Sequence, residues 1–344
     1  MPLSSLVQAP PAAEELAGWL VIAAALAGGF LCLAKGADWL VGASSQAARR
    51  YGVSTLVIGL TLIAFGTSAP EIVVSMLAAL EGKVDLSLGN VLGSNVANIG
   101  LVLGACAVVL PRVLESRLAP RDVGWLFASL GLTWFLMRDR DVTRADALLL
   151  LSAFVAYNVH LMLTGREEVE ASESVREGHF ARPKLWILVG LVSIAVGAKL
   201  VVYGAEQGAY RVGIPKSVVG LTIVAIGTSL PELAAGLGAA IKGESDISLG
   251  NVVGSNVFNL IAVIGLVALV HPFVPGVTAG EAPDEIAAAF QQALDEDLWV
   301  VLAFSLAAVL LPRLGGARFG RTKGLLLLAA YAAYSAWLYA SRSL

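Results

Sequence analysis

One stretch of this 344-residue chain occurs twice. The segment Gly52 to Asn98 returns as Gly213 to Asn259, 161 positions later, so that GTSAPE is matched by GTSLPE and GNVLGSNVAN by GNVVGSNVFN. The opening twenty residues of the two segments share eleven identities, and the closing twelve share ten. An internal duplication of this kind limits the fold to one built from two equivalent units.

The sequence around both copies is strongly apolar. Hydrophobic residues make up 57% of the chain and charged residues 14%. Soluble domains contain roughly 45–50% hydrophobic residues and about 25% charged residues. A helix that spans a bilayer needs about 20 mostly apolar residues. The pattern predicts an all-α polytopic membrane protein with ten transmembrane helices, at about residues 17–48, 53–80, 86–110, 122–138, 145–164, 184–209, 214–241, 247–270, 297–312 and 324–341.

Lysine and arginine are distributed unevenly between the predicted loops. The loops after helices 1, 3, 5, 7 and 9 carry 14 of these residues, and the opposite side with both termini carries 7. Because the basic side is normally cytoplasmic, we predict a multi-pass protein of the plasma (inner) membrane with both termini on the outer, periplasmic side. The loop at about 271–297 has no Lys or Arg, and its carboxylates are predicted to form a solvated acidic face.

The duplication and the helix count together predict inverted repeats. Residues 1–164 hold five predicted helices and the motif at 52–98, and residues 184–344 hold five more and the motif at 213–259. Because five is an odd number, the second repeat enters the membrane from the opposite side. The polar segment 165–183 is predicted to be a short cytoplasmic linker. Inverted repeats are a recurrent plan of secondary transporters, whose substrate lies near the bilayer midplane between the repeats.

Each copy places one glutamate well inside an apolar helix. A charge near the bilayer centre costs roughly 2.5–3.5 kcal/mol on insertion scales. No lysine or histidine lies near Glu71 or Glu232 in the sequence, so an ion pair is not evident, whereas a bound cation would supply the missing positive charge. Two carboxylates balance one divalent ion or two monovalent ions.

The residues beside each glutamate supply further oxygen atoms. Thr67 and Ser68 precede Glu71 by four and three positions, which places the three side chains on one helix face. The second copy has the equivalent hydroxyls, Thr228 and Ser229. Hydroxyl and carboxylate oxygens are ligands that hard cations such as calcium prefer.

A proline lies just before each glutamate. Pro70 and Pro231 lack a backbone N–H and clash with the carbonyl four residues earlier, so each helix is predicted to kink. The main-chain oxygens released at the kink need a partner, because irregular backbone at membrane depth occurs only inside protein or beside a wet cavity. A coordinated cation is such a partner.

A polar stripe follows in the next helix of each copy. Asn90, Ser94 and Asn98 recur every four residues, as do their equivalents Asn251, Ser255 and Asn259. This spacing places them along one helix face, which we expect to face the glutamates. The last two members of each stripe are predicted to contact the ion. For the first member two interpretations stay open, ion contact or an interhelical hydrogen bond.

The paired motifs GTS-x-PE and GN-x-x-GSN-x-x-N resemble the two alpha repeats of the cation/calcium antiporter superfamily, in particular its prokaryotic sodium/calcium exchanger branch. The resemblance covers both halves of the chain. It implies two inverted five-helix repeats, central ion sites between helices 2, 3, 7 and 8, and long helices 1 and 6 that slide across this core. The implied ligands are the carbonyls of Ala64 and Ala225 and the side chains of Thr67, Ser68, Glu71, Ser94, Asn98, Thr228, Ser229, Glu232, Ser255 and Asn259.

The same resemblance implies a secondary active antiporter that exchanges sodium for calcium by alternating access. The two ions would compete for the site built on the two glutamates. Ca²⁺ and Na⁺ would be transported substrates, and the lipid bilayer would be the surroundings. No cofactor, nucleic-acid partner or obligate protein partner is expected.

Asn259 departs from some archaeal members of the superfamily, which have an aspartate at this place. Both stripes of this chain end in asparagine, so the site has two carboxylates, enough to neutralise calcium, and no third acid to carry a proton. If three sodium ions bind to two carboxylates, the loaded site has a net charge of +1 and transport is electrogenic.

Three alternatives stay open. A proton/calcium antiporter of the same superfamily would use the glutamates as proton carriers. Members of that branch have GN-x-x-E motifs where this chain has GTS-x-PE. A potassium-dependent sodium/calcium exchanger also stays open, because potassium dependence rests on few residues. The remote alternative from another class is an intramembrane hydrolase with Ser68 or Ser229 as nucleophile, but a serine needs a positioned base, and no histidine lies near either motif. We therefore do not expect an enzyme.

Four other charged residues fall inside the first and sixth predicted helices, namely Lys35, Asp38, Lys199 and Glu206. We expect these side chains to pair with one another or to extend toward an interface, and not to bind the ion. A role in positioning the sliding helices stays open as an alternative.

Overall fold

The computed structural model describes residues 12–109, 118–164, 180–213, 225–275, 283–314 and 320–342. These ranges are helical almost throughout, and the β contact within them is one isolated bridge between Val142 and Phe273. The predicted all-α fold is confirmed.

The first repeat consists of one long helix, one broken helix and three further helices. Their bounds are α1 (Ala12–Tyr51), α2 (Thr55–Thr67), α3 (Ala69–Leu80), α4 (Val84–Val109), α5 (Pro120–Met137) and α6 (Arg144–Thr164). The second repeat follows the same order, with one additional short helix, α11. Its helices are α7 (Pro183–Arg211), α8 (Ala225–Thr228), α9 (Leu230–Ile241), α10 (Ser245–Val270), α11 (Pro283–Gln292), α12 (Leu298–Leu310) and α13 (Arg321–Arg342).

The described residues form ten membrane spans when α2 with α3 and α8 with α9 each count as one span and α11 is left out. By length and composition, α1, α4, α6, α7 and α10 can each cross a bilayer, and α2 with α3 forms a sixth, bent span. The remaining four spans, namely α5, α8 with α9, α12 and α13, are identified by their order in the repeats. The helix ends lie close to the predicted ones, so the hydropathy pattern located the spans correctly.

Both prolines lie beside a break in their helix, where the sequence predicts a kink. The axes of α2 and α3 differ by 43°. Pro70 lies in the first turn of α3, where a missing N–H is tolerated, and Pro231 has the same place in α9. The breaks fall at Ser68 and Ser229, whose ψ angles of 9° and 2° leave the helical range.

Two wide helical turns occur at equivalent places in the repeats. A π turn spans Asn98–Leu103 within α4, and another spans Asn259–Val263 within α10. Each begins at the last asparagine of a polar stripe. Single π turns inside α-helices are frequent at functional sites, and the sequence pattern did not predict them.

Backbone and side-chain contacts show which loops share an end of the molecule. The loops after α5 and α10 meet where Val142 and Phe273 exchange backbone hydrogen bonds of 2.9 and 3.0 Å. At the other end, near the end of α1, the Gln46 amide donates to the Phe180 carbonyl at 2.9 Å and accepts from the Phe180 N–H at 3.0 Å. These are called the Phe273 end and the Phe180 end below.

The repeats are inverted and related by an approximate twofold axis between α1 and α7. A Cβ on Gly29 would lie 2.8 Å from the carbonyl oxygen of Gly197, and a Cβ on Gly36 would lie 2.9 Å from that of Gly190. Since Gly29 corresponds to Gly190 and Gly36 to Gly197 under the 161-residue shift, the contacts are reciprocal, as a twofold axis requires. The four glycines allow the two backbones to touch.

Some predicted boundaries fall outside the described residues. Most of the linker predicted at 165–183 lies in the range 165–179, and the second motif, 213–259, includes 214–224. The division of the chain at this linker therefore stays a prediction.

Two expectations about charged residues hold only in part. In the acidic loop at 271–297, Asp284, Glu285, Asp295 and Glu296 are exposed as predicted, whereas Asp297 is only 6% exposed, where α11 and α12 meet. Asp38 pairs with none of the other three intrahelical charges. It forms an ion pair of 2.8 Å with Lys242, in the turn between α9 and α10.

The glycine contact between α1 and α7 gives a prediction for stability. Gly29→Ala places a methyl group within 2.9 Å of the α7 backbone and should destabilise the protein by about 1–3 kcal/mol through overpacking. Gly28→Ala is the matched control, since a Cβ at Gly28 meets no atom within 4 Å. Thermal unfolding in detergent should show a lower midpoint for Gly29→Ala alone, and equal midpoints would contradict the packing described.

Candidate ion-binding site

Two glutamates lie at the centre of the molecule, one from each repeat. Glu71 is in the first turn of α3 and Glu232 in the first turn of α9. Both residues are almost fully buried, at 1% and 0% exposure. The breaks at Ser68 and Ser229 place both glutamates at the start of a new helix segment.

Serine hydroxyls from two directions reach the carboxylates. Ser68 Oγ donates a hydrogen bond of 2.9 Å to Glu232 Oε1, across the boundary between the repeats. Ser94 Oγ donates to Glu71 Oε1 at 3.4 Å, from α4 to α3 within the first repeat. Each glutamate is therefore held by a hydroxyl from a different helix, and the two repeats share one site.

The first asparagine of each stripe supports the backbone of a glutamate. Asn90 Nδ2 lies 3.4 Å from the carbonyl oxygen of Glu71 and donates to Ser75 Oγ at 2.9 Å. Asn251 Nδ2 donates to the carbonyl oxygen of Glu232 at 3.2 Å. Of the two interpretations that the sequence left open for these asparagines, the structure shows the interhelical hydrogen bond.

Six predicted ligands carry a buried oxygen that has no hydrogen-bond partner among the described residues. These atoms are Glu71 Oε2, Glu232 Oε2, Asn98 Oδ1, Asn259 Oδ1, Ser229 Oγ and Ser255 Oγ. A buried polar atom without a partner costs about 1–3 kcal/mol and is rare in native proteins. Six such oxygens on residues from α3, α4, α9, α10 and the break at Ser229 are a chemical environment suited to a cation.

The remaining predicted ligands are placed as follows. Thr67 is buried, with Oγ1 3.2 Å from Asn251 Oδ1 and 3.4 Å from the Ala64 carbonyl oxygen. The same Ala64 carbonyl accepts the Ser68 N–H at 3.0 Å. Thr228 is buried at 8% exposure. Ala225 begins α8, and its side chain lies outside the described residues.

Asn95 and Asn256, which the sequence reasoning missed, connect the two stripes. Asn98 Nδ2 donates to Asn256 Oδ1 at 3.0 Å, and Asn256 Nδ2 donates to the Asn95 carbonyl oxygen at 3.2 Å. This amide bridge fixes Asn98 so that its Oδ1 is the atom left without a protein partner. The sequence signal was the asparagine of each GSN motif, which lies off the four-residue stripe.

The bridge is not symmetric. Asn95 corresponds to Asn256 under the 161-residue shift, but its Nδ2 donates within α4, to the Val91 carbonyl oxygen at 2.8 Å. Neither amide atom of Asn259 has a partner among the described residues. The two halves of the site are therefore equivalent in sequence and different in hydrogen bonding.

No described lysine, arginine or histidine forms an ion pair with Glu71 or Glu232. Because the uncompensated charge of two ionised carboxylates is costly inside a membrane, the site favours positively charged ligands.

Ten spans in inverted repeats, with buried carboxylates at the repeat interface, are the arrangement of a membrane-embedded cation antiporter. Residues 21–163 and 183–340 match the family model described as "Sodium/calcium exchanger protein". The chain belongs to this family and is a cation/calcium antiporter. The family is one of transporters and not of enzymes.

Two curated relatives match over nearly their whole length. The putative antiporter CaxA of Alkalimonas amylolytica is 37% identical over 91% of this chain and 97% of its own length. The inner membrane protein YrbG of Escherichia coli is 34% identical over 93% of this chain and 97% of its own length.

A solved structure has the same fold. The sodium-calcium exchanger NCX_Mj, soaked with zero Na⁺ and Ca²⁺, superposes with a TM-score of 0.71 and 29% identity, over 93% of this chain and 99% of that one. The inverted ten-helix architecture predicted from the sequence is confirmed by this match.

The amide bridge gives a prediction that compares two equivalent asparagines. Asn256→Ala removes two hydrogen bonds between α10 and α4 and leaves the buried Asn98 Nδ2 without its partner, at about 1–3 kcal/mol. Asn95→Ala removes only the bond to Val91 within its own helix. Thermal unfolding in detergent should therefore show a larger loss of stability for Asn256→Ala. Equal losses, or a larger loss for Asn95→Ala, would contradict the asymmetric bridge.

Proposed function

We propose that this antiporter exchanges sodium for calcium at the site formed by Glu71 and Glu232. The observation that carries the proposal is the cluster of buried oxygens that have no hydrogen-bond partner among the described residues. They lie around two carboxylates that no described cationic side chain neutralises. Calcium takes six to eight oxygen ligands from carboxylates, carbonyls, amides and water. The site offers the first three kinds from the chain itself.

The ligands proposed here are the twelve residues implied by the sequence. Glu71 and Glu232 would supply the charge, and Asn98 and Asn259 the amide oxygens. The hydroxyls would come from Thr67, Ser68, Ser94, Thr228, Ser229 and Ser255, and the main-chain carbonyls from Ala64 and Ala225. No cofactor or protein partner is part of the proposal.

Exchange follows from competition for the same two carboxylates. A calcium ion neutralises both glutamates, so sodium ions cannot bind them at the same time. A loaded site loses the charge penalty that two bare carboxylates would carry across the membrane. The conformational change is therefore favoured when either ion is bound and disfavoured when neither is, which suppresses leak.

Sodium coupling is supported by the GTS-x-PE motifs and by the names of the family and of the solved relative. A proton/calcium antiporter and a potassium-dependent exchanger would use the same glutamates, so the ion dependence of transport decides between them.

We also propose the orientation in the membrane. The Phe180 end carries the basic-rich loops, so it would be cytoplasmic, and both termini would then be periplasmic. The location in the inner membrane is supported by the description of YrbG.

Removing either charge should abolish exchange. Glu71→Gln and Glu232→Gln leave one carboxylate, which cannot balance a divalent ion, and we expect calcium-45 uptake into sodium-loaded proteoliposomes to fall at least about 100-fold, since two or more charge-assisted ligand bonds are lost. Glu285→Gln, an exposed glutamate in α11, is the control and should leave uptake unchanged.

The same assay separates the alternatives. Uptake that a pH gradient drives in the absence of sodium would replace sodium coupling with proton coupling. Uptake that requires added potassium would favour the potassium-dependent exchanger. Full activity of either glutamine variant would refute the two-glutamate site.

The orientation is tested by labelling in cells. Arg50 at the Phe180 end and Asp85 at the start of α4 are both exposed. In a chain whose Cys32 and Cys106 are replaced by alanine, a membrane-impermeant maleimide should label Asp85→Cys in intact cells, and Arg50→Cys only after permeabilisation. The reverse pattern would invert the proposed topology.

A further inference from the structure

The turns that follow the two glutamate-bearing helices have opposite charge orders. The turn between α3 and α4 reads E-G-K at residues 81–83, and the turn between α9 and α10 reads K-G-E at residues 242–244, 161 positions later. The two turns have the same shape, since their glycines have φ angles of 75° and 76°. The duplication has therefore kept the conformation and reversed the charges.

The helices that face these turns have changed in the complementary sense. Asp38 in α1 corresponds to Lys199 in α7, and Ser45 in α1 corresponds to Glu206 in α7. Asp38, which changes to Lys199, reverses its charge as the turn residue Lys242 changes to Glu81. Ser45 is neutral and changes to the acidic Glu206 as the turn residue Glu244 changes to the basic Lys83.

At the Phe180 end these residues are in contact. Lys242 Nζ lies 2.8 Å from Asp38 Oδ1. Ser45 Oγ donates to Glu244 Oε1 at 2.5 Å, and Arg49 Nη1 lies 3.8 Å from the same oxygen. Both charged residues of the K-G-E turn therefore bind α1.

At the Phe273 end the equivalent contacts are absent among the described residues. Lys83 Nζ lies 2.7 Å from Glu81 Oε2, so the two charges of this turn pair with each other, and their side chains are 56% and 61% exposed. Lys199 and Glu206 form no ion pair with any residue that the structure describes.

Helix packing shows the same difference between the ends. A Cβ on Gly238 of α9 would lie 2.8 Å from Ala37 Cβ of α1, so these helices touch at the Phe180 end. The equivalent residues are Leu77 of α3 and Ala198 of α7. Leu77 is 54% exposed, so α3 is largely uncovered where α9 is covered. At this level the α1 and α7 pair therefore covers α9 more fully than it covers α3.

We propose that the two turns are ion-pair latches that hold the α1 and α7 pair alternately at the two ends of the molecule. In the state seen here the Phe180-end latch, Asp38 with Lys242 and Ser45 with Glu244, is closed. In the opposite state Lys199 pairs with Glu81 and Glu206 pairs with Lys83, and the Phe180-end latch is open. The pair of Asp38 and Lys242 has both charges reversed in the other repeat. The hydrogen bond from Ser45 to Glu244 is replaced there by the ion pair of Glu206 with Lys83, so every contact is attractive in both states.

The close contact of α1 with α7 couples the two latches. Their backbones touch at the reciprocal glycines Gly29 with Gly197 and Gly36 with Gly190, so the two helices move as one body, and opening one latch brings the other pair together. The inference rests on the proposed function only in that an antiporter alternates between two states, whichever ion it carries.

Cross-linking tests the latches without any transport assay. In a chain with Cys32 and Cys106 replaced by alanine, we introduce Asp38→Cys with Lys242→Cys, or Glu81→Cys with Lys199→Cys, and add a short bifunctional thiol reagent. Each pair should cross-link, and their yields should change in opposite directions when sodium, calcium or neither is present. The pair Asp85→Cys with Lys199→Cys is the matched control, since Asp85 belongs to no latch and should cross-link less.

Absence of the Glu81–Lys199 cross-link under all ionic conditions, or parallel changes in the two yields, would overturn the proposal. This outcome is independent of the ion transported, so the latches and the sodium/calcium assignment can fail separately.

Charge-reversal substitutions test the pair of Lys199 and Glu81 through the rate of calcium uptake. Lys199→Glu should slow sodium-driven calcium uptake by roughly twofold to fivefold, the range for an exposed ion pair, and adding Glu81→Lys should restore it. Lys35→Glu reverses a charge on α1 outside the latches and should leave the rate unchanged. Failure of Glu81→Lys to restore the rate would contradict the Lys199–Glu81 pair.

Discussion

The other features of this structure depend on two carboxylates that lie in the interior of a membrane protein. An uncompensated charge at that depth costs several kcal/mol, and the described residues provide no cationic side chain to offset it. The chain instead surrounds Glu71 and Glu232 with hydroxyl, amide and carbonyl oxygens. This arrangement of oxygens requires helices whose regular geometry is interrupted near the glutamates. The breaks beside the prolines and the π turns are these interruptions.

The site is complete only because the duplicated motifs meet face to face. Ser68 of the first repeat donates to Glu232 of the second, and Asn256 of the second repeat bonds to Asn98 and to the Asn95 carbonyl of the first. Equivalent side chains nevertheless have different partners in the two halves. A protein of two inverted copies that adopts an asymmetric state already contains the geometry of a second state, with the roles of the copies exchanged.

Local sequence patterns predicted much of this arrangement. Long apolar runs located the spans, the prolines located the kinks, and the four-residue stripes located the polar faces, because each of these effects acts within one helix. Contacts between helices were harder to foresee. The Asn256 bridge, the backbone role of Asn90 and the pairing of Asp38 with Lys242 depend on which helices become neighbours. The π turns depend on packing that no period in the sequence reveals.

The ion pair between Asp38 and Lys242 has a consequence for assembly. Were two copies of the first repeat to associate with each other in the same geometry, Asp38 would face Glu81, the residue that corresponds to Lys242, and the like charges would repel at both ends of the dimer. Two copies of the second repeat would oppose Lys199 to Lys242 in the same way. The divergence of the two halves therefore selects the mixed pair, so that each half has become the specific partner of the other and neither remains self-complementary.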